Sequence, residues 1–343
     1  MSIITIVGAG MMGSAMSIPA ADNGHEVRIV GSPLDREIID RVKQDGYHIT
    51  LKRQLPSVIK YYQVEEIGEA LENCDLLIGG VSSFGVEWFG EAVLPGIPKS
   101  LPVLSVTKGL QALPDGTLIA IPDYLAAKPG CDGLSLNAVG GPCISFELAD
   151  RHDTVVAFCG HDMDDLVKIK NMLSTDYYHI NLSDDVIGVE TAVAMKNAYA
   201  LGVSLAIGLA ESKNGIGCKE EYNQQAGLFA QSTREMYRLL KIAGGKEEQI
   251  LYGAGDLYVT VFGGRTRKIG TLLGRGLTFE QALAELRGVT LESVAITKVV
   301  IEALMKMEAA GKVDIRQFPL LMHIYDMITD KTTVNVPWKC FEE

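Results

Sequence analysis

Residues 8–13 have the sequence Gly8-Ala9-Gly10-Met11-Met12-Gly13. This glycine loop directly follows an apolar run at 2–7 that is typical of a buried strand, and it opens a helix predicted to extend to about Asn23. A second strand is predicted at 26–30, after a helix stop at Gly24. The order strand, loop, helix, strand predicts a βαβ unit at the start of the chain.

The three glycines of this loop have separate roles in a dinucleotide site. Gly8 permits the tight turn, Gly10 lets the backbone approach a pyrophosphate, and Gly13 permits close packing of the helix on the strand. The helix begins at Met11 and Met12 and offers free N–H groups with a partial positive charge. The loop therefore predicts a bound dinucleotide, with a nicotinamide favoured. The alternatives are a flavin and a glycine turn without a ligand.

The end of the second strand leaves the choice between NAD and NADP open. An acidic residue there would bind the ribose diol and repel a 2′-phosphate. The sequence instead continues with Gly31, Ser32 and Pro33 and has no acid until Asp35. Ser32 is predicted to contact the cofactor. Arg36 is a candidate partner for a 2′-phosphate, and a solvated arginine is the alternative.

Strand-like runs alternate with helical patterns in the first half of the chain. They lie at residues 76–81, 103–107, 136–139 and 154–159. This alternation predicts a mostly parallel sheet covered by helices on both faces. Residues 1–185 are therefore predicted to form an α/β domain of the Rossmann type, with a doubly wound sheet.

From residue 186 onward the strand patterns nearly vanish, and 186–343 is predicted to be an all-helical substrate domain. The helical patterns lie at 186–212, 224–243, 279–286, 291–310 and 318–328. The stretch from Thr191 to Ala210 is long and apolar enough to suggest a membrane span. A lysine near its centre, Lys196, would be costly in a bilayer, so a buried core helix is favoured.

Composition and charge exclude several classes of function. The 343 residues are 47% hydrophobic and 22% charged, which fits a globular protein of two domains. A net charge of −12 argues against nucleic acid as a general partner. The six cysteines form no CxxC pair and have no zinc-site spacing with histidine. No secretory signal is recognised, so a reduced, cytoplasmic protein is predicted, as a monomer or as a homodimer formed through the apolar helical half.

Two lysines stand where chemistry is expected. Lys108 follows a strand, and ligands of such sheets bind outside the carboxyl ends of the strands. Lys196, next to Asn197 in the apolar helix, is a candidate proton donor to the alkoxide that forms when a ketone is reduced. Asp256 is its candidate carboxylate partner, and Thr260 supplies a hydroxyl one helical turn later. The alternatives are an ordinary exposed Lys108 and a Lys196 that snorkels to the surface.

A basic segment follows, with the sequence Gly263-Gly264-Arg265-Thr266-Arg267-Lys268. It places three cations on a glycine-rich turn, and arginine side chains fit phosphate oxygens well. In an acidic protein this local cluster predicts a bound phosphate, and a solvated basic loop is the alternative.

Taken in order, these segments resemble the NAD(P)-dependent sn-glycerol-3-phosphate dehydrogenase family, within the 6-phosphogluconate dehydrogenase-like superfamily. The resemblance extends from the glycine loop to the Phe-Pro-Leu segment at 318–320. It implies a Rossmann domain with an all-helical second domain, NAD or NADP as cofactor and a small phosphorylated substrate. No membrane partner is predicted, because the apolar helix around Lys196 is interpreted as a core helix. The implied reaction is the reversible reduction of dihydroxyacetone phosphate to sn-glycerol 3-phosphate.

The resemblance also implies roles for particular residues. Lys196 would be the acid/base beside the reacting oxygen, and Lys108 would position the substrate next to the cofactor. Asp256, Thr260 and Asn197 would complete the polar site.

Two further regions are assigned in the same way. Arg265, with Thr266 beside it, would bind a phosphate of the substrate or the cofactor. Glu292 would lie near the cofactor, in a Val-Thr-Leu-Glu segment that begins at Val289 and resembles one that closes over the cofactor in the family. This chain departs from the family's pattern at Thr266, where asparagine is common, and at Cys143.

These departures leave the substrate open at the level of sequence. The first hypothesis is a reductase of dihydroxyacetone phosphate or of another phosphorylated ketose. The second is a reductase of a keto acid, of the ketopantoate or opine type, because the same cations could bind a carboxylate. The third is a nucleotide-binding sensor without catalysis, which the paired Lys196 and Asp256 argue against.

Overall fold

The first half of the chain forms a doubly wound sheet and the second half is helical, which confirms the predicted fold class. The computed structural model describes residues 1–286 and 292–342. The strands are β1 Ile3–Val7, β2 Glu26–Val30, β3 Tyr47–His48, β4 Arg53–Gln54, β5 Lys60–Tyr62, β6 Leu76–Gly79, β7 Val103–Ser105, β8 Leu110–Ala112, β9 Leu118–Ala120, β10 Leu136–Gly140, β11 Thr154–Cys159 and β12 Tyr178–Ser183.

The main sheet has eight strands in the order β12-β11-β10-β7-β6-β1-β2-β5. Its pairings are parallel except for β10 with β11. Six neighbouring strands of this sheet, in the order β5-β2-β1-β6-β7-β10, follow the order typical of dinucleotide-binding sheets. In β1 and β2, Val7 is level with Val30, so the loops that follow these two strands leave the sheet at the same edge.

The strands form because their side chains are buried on both faces, as expected for a parallel sheet with helices on each side. Ile4 and Ile6 of β1 have no exposed surface and belong to one hydrophobic cluster. Val7 and Leu77 belong to a second cluster. The strands predicted at 26–30 and 154–159 have the bounds that the structure shows. The other four predicted strands end within two residues of the observed ends, and they are those at 2–7, 76–81, 103–107 and 136–139.

Helices occupy both the loops of the sheet and the second half of the chain. They are α1 Met11–Asp22, α2 Arg36–Asp45, α3 Ile67–Ala70, α4 Val86–Trp88, α5 Ile121–Ala126, α6 Ser145–Ala149, α7 Met163–Leu173, α8 Val186–Ala194, α9 Lys196–Asn214, α10 Tyr222–Ala243, α11 Ile250–Val261, α12 Gly264–Gly274, α13 Phe279–Glu285, α14 Glu292–Ala309 and α15 Pro319–Ile328. The single helix predicted at 186–212 is interrupted at Met195, so that Lys196 begins a new helix.

The apolar stretch that suggested a membrane span is part of the helical core. Residues Val186–Asn214 are long and apolar enough to cross a membrane, but 83% of the most apolar window is buried inside the protein. Burial of this kind is typical of the core helix of a soluble protein, as the sequence predicted.

The chain divides into two compact units that are not contiguous in sequence. The first contains Met1–Lys108 and Ile121–Glu190, and the second contains residues 109–120 and the chain from Thr191 onward. This division differs from the predicted boundary after residue 185 chiefly because 109–120, the β8–β9 hairpin, joins the helical unit.

The hairpin joins the helical unit through a tight contact with α14. Its turn contains Gly116 at φ +90°, and the carbonyl oxygen of Ala303 lies so near that a Cβ at Gly116 would be 2.8 Å from it. Leu110 and Leu118 of the hairpin are buried. The hairpin is therefore part of the second core.

Helices α9 and α12 pack in parallel, and glycines make this packing close. A Cβ on Gly270 would lie 2.4 Å from the carbonyl oxygen of Leu201, and one on Gly274 would lie 2.3 Å from that of Leu205. Both contacts advance by one helical turn in the same chain direction, so the two helices begin at the same end of the pair.

Candidate functional site

The glycine loop of the first unit has the shape of a pyrophosphate cradle. Gly8 has φ +106°, and a Cβ there would lie 2.7 Å from the backbone of Gly80. A Cβ on Gly13 would lie 2.4 Å from the carbonyl oxygen of Gly8. These two glycines therefore allow close backbone packing. Gly10 differs, since a Cβ there would have only the oxygen of Gly80 nearby, at 3.7 Å, so its surroundings leave space for a ligand.

The first turn of α1 is available to an anion. Gly10 is the N-cap residue, and no side chain of the described residues caps this helix. The first intrahelical bond is donated by the N–H of Ser14 to the oxygen of Gly10. The N–H groups of Met11 and Met12 precede it, and such groups bind phosphate at helix N-termini. The arrangement fits the pyrophosphate of a dinucleotide at the glycine loop.

The glycine loop is held by an aspartate from the loop after β2. One carboxylate oxygen of Asp35 accepts the N–H of Ala9 at 3.0 Å and that of Ser32 at 2.8 Å. In the sequence, Asp35 is the first acidic residue after the second strand, but its contact with the glycine loop depends on the tertiary fold. Asp35 therefore connects the glycine loop with the segment where the ribose is expected.

A buried histidine holds the other side of the same loop. The Nδ1 of His48 accepts the N–H of Leu51 at 3.0 Å, so its Nε2 carries the proton and donates to the oxygen of Ala9 at 2.9 Å. Burial lowers the pKa of His48, which keeps the ring neutral in this role. No sequence motif marks His48, and sequence reasoning missed it.

Lys108 lies at the carboxyl edge of the sheet, as its place after a strand predicted. Its ammonium group donates to the oxygen of Gly141 at 2.6 Å. The two residues follow β7 and β10, which are neighbours in the sheet. Beside it, the hydroxyl of Thr107 donates to the oxygen of Val81 at 2.6 Å. Lys108 is therefore a partly buried, fixed cation rather than an ordinary exposed lysine.

In the second unit, Lys196 and Asp256 form the ion pair that the sequence predicted. The Nζ of Lys196 lies 2.7 Å from a carboxylate oxygen of Asp256. The side chain of Asp256 has no exposed surface, and that of Lys196 is 17% exposed. Thr260 donates its hydroxyl to the backbone oxygen of Asp256 at 2.6 Å, which leaves its own oxygen as an acceptor. The lysine is thus held from behind by a buried carboxylate and keeps a small accessible face.

Asn197 and Glu292 also meet within the second unit. The amide of Asn197 donates to a carboxylate oxygen of Glu292 at 3.3 Å. Glu292 is the first residue of α14, and residues 289–291 of the segment predicted to close over the cofactor lie outside the described residues. Glu292 therefore contacts the residue next to Lys196.

The basic segment is the start of a helix, so the prediction of a turn was wrong. Helix α12 begins at Gly264 because Gly263 takes the extended N-cap conformation, with φ −166°. Arg265 is exposed and Thr266 is half-buried in the first helical turn. Arg267 is committed elsewhere, since it donates to the oxygen of Val261 and pairs with Glu220 at 2.7 Å.

The parallel packing of α9 and α12 relates this segment to the lysine. When the register set by Gly270 opposite Leu201 is continued towards the N-termini, Arg265 is level with Lys196. An exposed guanidinium, free N–H groups at the start of α12 and a fixed ammonium group therefore occur at one end of a helix pair. Together they can bind a phosphate and place a proton donor beside a second group of the same small molecule.

Known families match both halves of the chain. Residues 3–165 match the N-terminal model of NAD-dependent glycerol-3-phosphate dehydrogenase, and residues 185–338 match the C-terminal model. An NADP(+)-dependent glycerol-3-phosphate dehydrogenase of Archaeoglobus fulgidus is 34% identical over 84% of this chain and 85% of its own length.

Two further proteins extend these matches. A glycerol-3-phosphate dehydrogenase [NAD(P)+] of Desulfotalea psychrophila is 28% identical over 95% of this chain and 92% of its own. The crystal structure of glycerol-3-phosphate dehydrogenase from Coxiella burnetii has the same fold, with a TM-score of 0.81 at 22% identity over 99% of this chain and 98% of that one.

Proposed function

Because the chain belongs to the NAD-dependent glycerol-3-phosphate dehydrogenase family, we propose that it uses NAD(P)H to reduce dihydroxyacetone phosphate to sn-glycerol 3-phosphate, with Lys196 as the acid/base. The single observation that best supports the assignment of Lys196 is its 2.7 Å ion pair with the fully buried Asp256. The reaction is a reversible hydride transfer, so the same residues serve both directions.

The proton in this reaction comes from Lys196. When bound, the nicotinamide supplies the hydride to the carbonyl carbon of the substrate. The carbonyl oxygen gains negative charge as this happens, and the Lys196 ammonium group donates a proton to it. Asp256 orients the ammonium group throughout, and the 17% exposure of the lysine side chain gives it access to a new proton.

The phosphate of the substrate is assigned to the start of α12. Arg265 is the proposed ligand because its guanidinium is exposed and matches phosphate oxygens. Thr266 adds a hydroxyl, which reaches less far than the asparagine common in the family. Arg267 is not among the proposed ligands, since its guanidinium already donates to the oxygen of Val261 and pairs with Glu220.

Four other residues complete the proposed site. Asn197 and Thr260 are proposed to contact the substrate, the latter through its free acceptor oxygen. Lys108 is proposed to position substrate and cofactor from the carboxyl edge of the sheet. Glu292 is proposed to orient Asn197 through their 3.3 Å hydrogen bond, near the cofactor.

A substrate panel tests this function. The purified protein is mixed with NADH or NADPH and with dihydroxyacetone phosphate, other phosphorylated ketoses, or keto acids such as ketopantoate, and nicotinamide absorbance is followed. We expect turnover with dihydroxyacetone phosphate above all others. Activity on keto acids alone would replace the proposal with the carboxylate-reductase hypothesis. Cofactor binding without turnover on any carbonyl would support the sensor.

We further propose a cytoplasmic location. The six cysteines all lie in the described part of the chain and form no disulfide, and three of them, Cys131, Cys143 and Cys159, are buried. Free cysteines are typical of proteins kept in a reducing compartment.

A further inference from the structure

The residues of the proposed phosphate site stand on either side of a glycine turn between α11 and α12. Thr260 precedes the turn and the exposed Arg265 follows it. Gly264 has φ +78°, a conformation that glycine adopts far more readily than other residues. A Cβ on Gly263 or Gly264 would have no heavy atom of the described residues within 4 Å. Packing of the described residues around these glycines therefore does little to fix the position of Arg265.

Arg267 links the two sides of this turn. One terminal nitrogen of its guanidinium donates to the backbone oxygen of Val261 at 2.9 Å. Val261 is the last residue of α11, and the carbonyl groups at the end of a helix have no N–H partner within the helix. A cation at this place also interacts favourably with the negative end of the helix dipole. Arg267 therefore ties the start of α12 to the end of α11 across the two glycines.

A second contact joins the same guanidinium to a third segment. Its other terminal nitrogen lies 2.7 Å from a carboxylate oxygen of Glu220, and the two side chains are 25% and 32% exposed. The second oxygen of Glu220 accepts the side-chain amide of Gln225 in α10 at 2.8 Å. Gln225 and then Arg267 hold the pKa of Glu220 below its usual value, against the opposing effect of burial, so this ion pair is charged at neutral pH. Arg267 therefore connects α11 and α12 with the segment before α10.

We infer that Arg267 is a positioning residue for the proposed reaction, because it fixes the glycine turn and thereby holds Arg265 where the phosphate of the substrate binds. The inference rests on the proposed function, since Arg265 is the phosphate ligand in that proposal. Arg267 acts through Arg265, while its own guanidinium stays bound to the end of α11 and to Glu220. Glu220 contributes in the same way, since it holds the guanidinium of Arg267 in place.

Steady-state kinetics with dihydroxyacetone phosphate and saturating NADH or NADPH test this role. We expect Arg267→Ala to raise KM for dihydroxyacetone phosphate about tenfold, as when a charge-assisted hydrogen bond to the phosphate is lost. kcat should fall by less than about threefold, because the ion pair of Lys196 and Asp256 is untouched. A lower Tm with a wild-type KM in Arg267→Ala would show a purely structural role and would overturn the inference.

Arg275→Ala is the matched control for this variant. Arg275 directly follows α12, its side chain is 27% exposed, and it pairs with Glu211 at 2.8 Å. It is therefore an ion-paired arginine of similar burial at the opposite end of the same helix. Loss of Arg275 should lower Tm but keep the wild-type KM, and an equal rise of KM in both variants would refute a specific role for Arg267.

A double-variant cycle distinguishes positioning from direct binding of the phosphate. If Arg267 acts through Arg265, then Arg265→Ala already removes the contact that Arg267 supports. KM of the protein that carries both Arg265→Ala and Arg267→Ala should then lie within about twofold of that of Arg265→Ala alone. If the two single effects multiply instead, Arg267 binds the phosphate itself and the inference is wrong.

Glu220→Gln is a milder change that serves even if Arg267→Ala does not fold. It keeps the size of the side chain and removes the charge that holds Arg267. We expect KM for dihydroxyacetone phosphate to rise about two- to fivefold, and no further rise when the change is added to Arg265→Ala. A wild-type KM in every folded variant of Arg267 and Glu220 would refute the inference.

Absence of turnover with dihydroxyacetone phosphate in the wild type would count against the proposed function instead. Isothermal titration calorimetry with inorganic phosphate, with saturating NADH to occupy the glycine loop, would still decide the role of Arg267. We expect Kd for phosphate to rise in Arg265→Ala and in Arg267→Ala, and to stay unchanged in Arg275→Ala. No measurable phosphate binding by the wild type, or the same Kd in wild type and Arg267→Ala, would refute the inference.

Discussion

The ammonium group of Lys196 is fixed at the first position of α9 by a carboxylate with no exposed surface. A charge removed from water needs a partner, and Asp256 provides one while the lysine keeps access to a ligand. A lysine held in this way can deliver a proton without a search for the correct orientation, which is the advantage of preorganised groups in catalysis.

Replacing this lysine should affect the reaction more than binding. We expect Lys196→Met to lower kcat by on the order of 10²-fold, because acid/base catalysis typically contributes that much. The dissociation constants of NADH and NADPH should stay nearly unchanged. Lys213→Met is the control, since Lys213 is an exposed lysine in the last turn of the same helix, and it should keep wild-type kcat. Full activity of Lys196→Met would remove the lysine from the mechanism.

Some site residues could be predicted from the sequence because each is needed for a local physical reason. A lysine in an apolar helix needs a carboxylate, and the ion pair with Asp256 meets that need. His48 and Asp35 could not be predicted, since both act through hydrogen bonds to Ala9, and only the folded sheet brings these residues together. Arg267 is a residue type that often binds phosphate, but in the folded protein it donates hydrogen bonds to Val261 and Glu220.

Among the elements, the pair α9 and α12 determines where the basic segment begins. A larger residue at Gly270 should push the helices apart, because its Cβ would lie 2.4 Å from the oxygen of Leu201. We expect Gly270→Val to lower the free energy of unfolding by about 3 kcal/mol, as overpacking does. It should also raise KM for dihydroxyacetone phosphate, since Arg265 would move relative to Lys196.

Thermal denaturation and steady-state kinetics measure these two effects. Gly68→Ala is the control, since Gly68 lies in α3 with nothing within 4 Å of an added Cβ, and it should leave both quantities nearly unchanged. A Gly270→Val protein with wild-type Tm and KM would mean that the close packing of α9 on α12 does not position the phosphate site.

Glycine also explains which elements the sequence patterns missed. Helices α11 and α12 each contain glycines, which favour turns in isolation. In the folded protein these glycines permit close packing between helices. In α11, a Cβ on Gly253 would lie 2.3 Å from the oxygen of Ala192 in α8. The β strands of the main sheet were easier to predict than these helices, because a short apolar run between turn residues is typical of a buried strand.

At the scale of the whole molecule, one buried carboxyl ties three helices of the second unit together. Glu235 of α10 accepts N–H groups of Leu320 and Leu321 at 2.8 and 2.9 Å, at the start of α15. It also accepts the hydroxyl of Tyr199 in α9 at 3.0 Å. Burial raises the pKa of Glu235 to about 7, so between about pH 4.5 and pH 7 the folded protein retains a proton there that the unfolded chain has lost.

Stability should therefore depend on pH through Glu235. A carboxyl whose pKa is higher in the folded state contributes stability that is complete below its unfolded pKa and is lost as pH rises through the folded value. We expect this contribution, on the order of 3 kcal/mol, to decline between about pH 4.5 and pH 7.5. In Glu235→Gln the residue cannot ionise, so the Tm difference between wild type and variant should shrink over that range.

Melting curves from pH 5 to pH 8 measure this difference. Glu248→Gln, a change at an exposed glutamate, should give curves parallel to the wild type. A constant difference between wild type and Glu235→Gln at all pH values would contradict the role of this carboxyl in the pH dependence of stability.

A single domain boundary in the sequence cannot describe how this chain divides into its two units. Patterns along the sequence correctly separated a sheet from a helical region, because the periodicity of the hydrophobic residues changes near residue 186. They could not assign the β8–β9 hairpin to the helical unit, since its partner α14 is distant in sequence. The turn itself had a local signal, the sequence Pro114-Asp115-Gly116, which is typical of tight turns.

This hairpin has a consequence for how the protein is made. Its residues leave the ribosome long before those of α14, and at about 5–20 residues per second the wait lasts roughly 10–40 s. During that time Leu110 and Leu118, which are buried in the finished protein, have no α14 to cover them. The nascent chain therefore carries an uncovered apolar segment of the second unit, placed in the sequence between the two parts of the first, until nearly the whole protein has been translated.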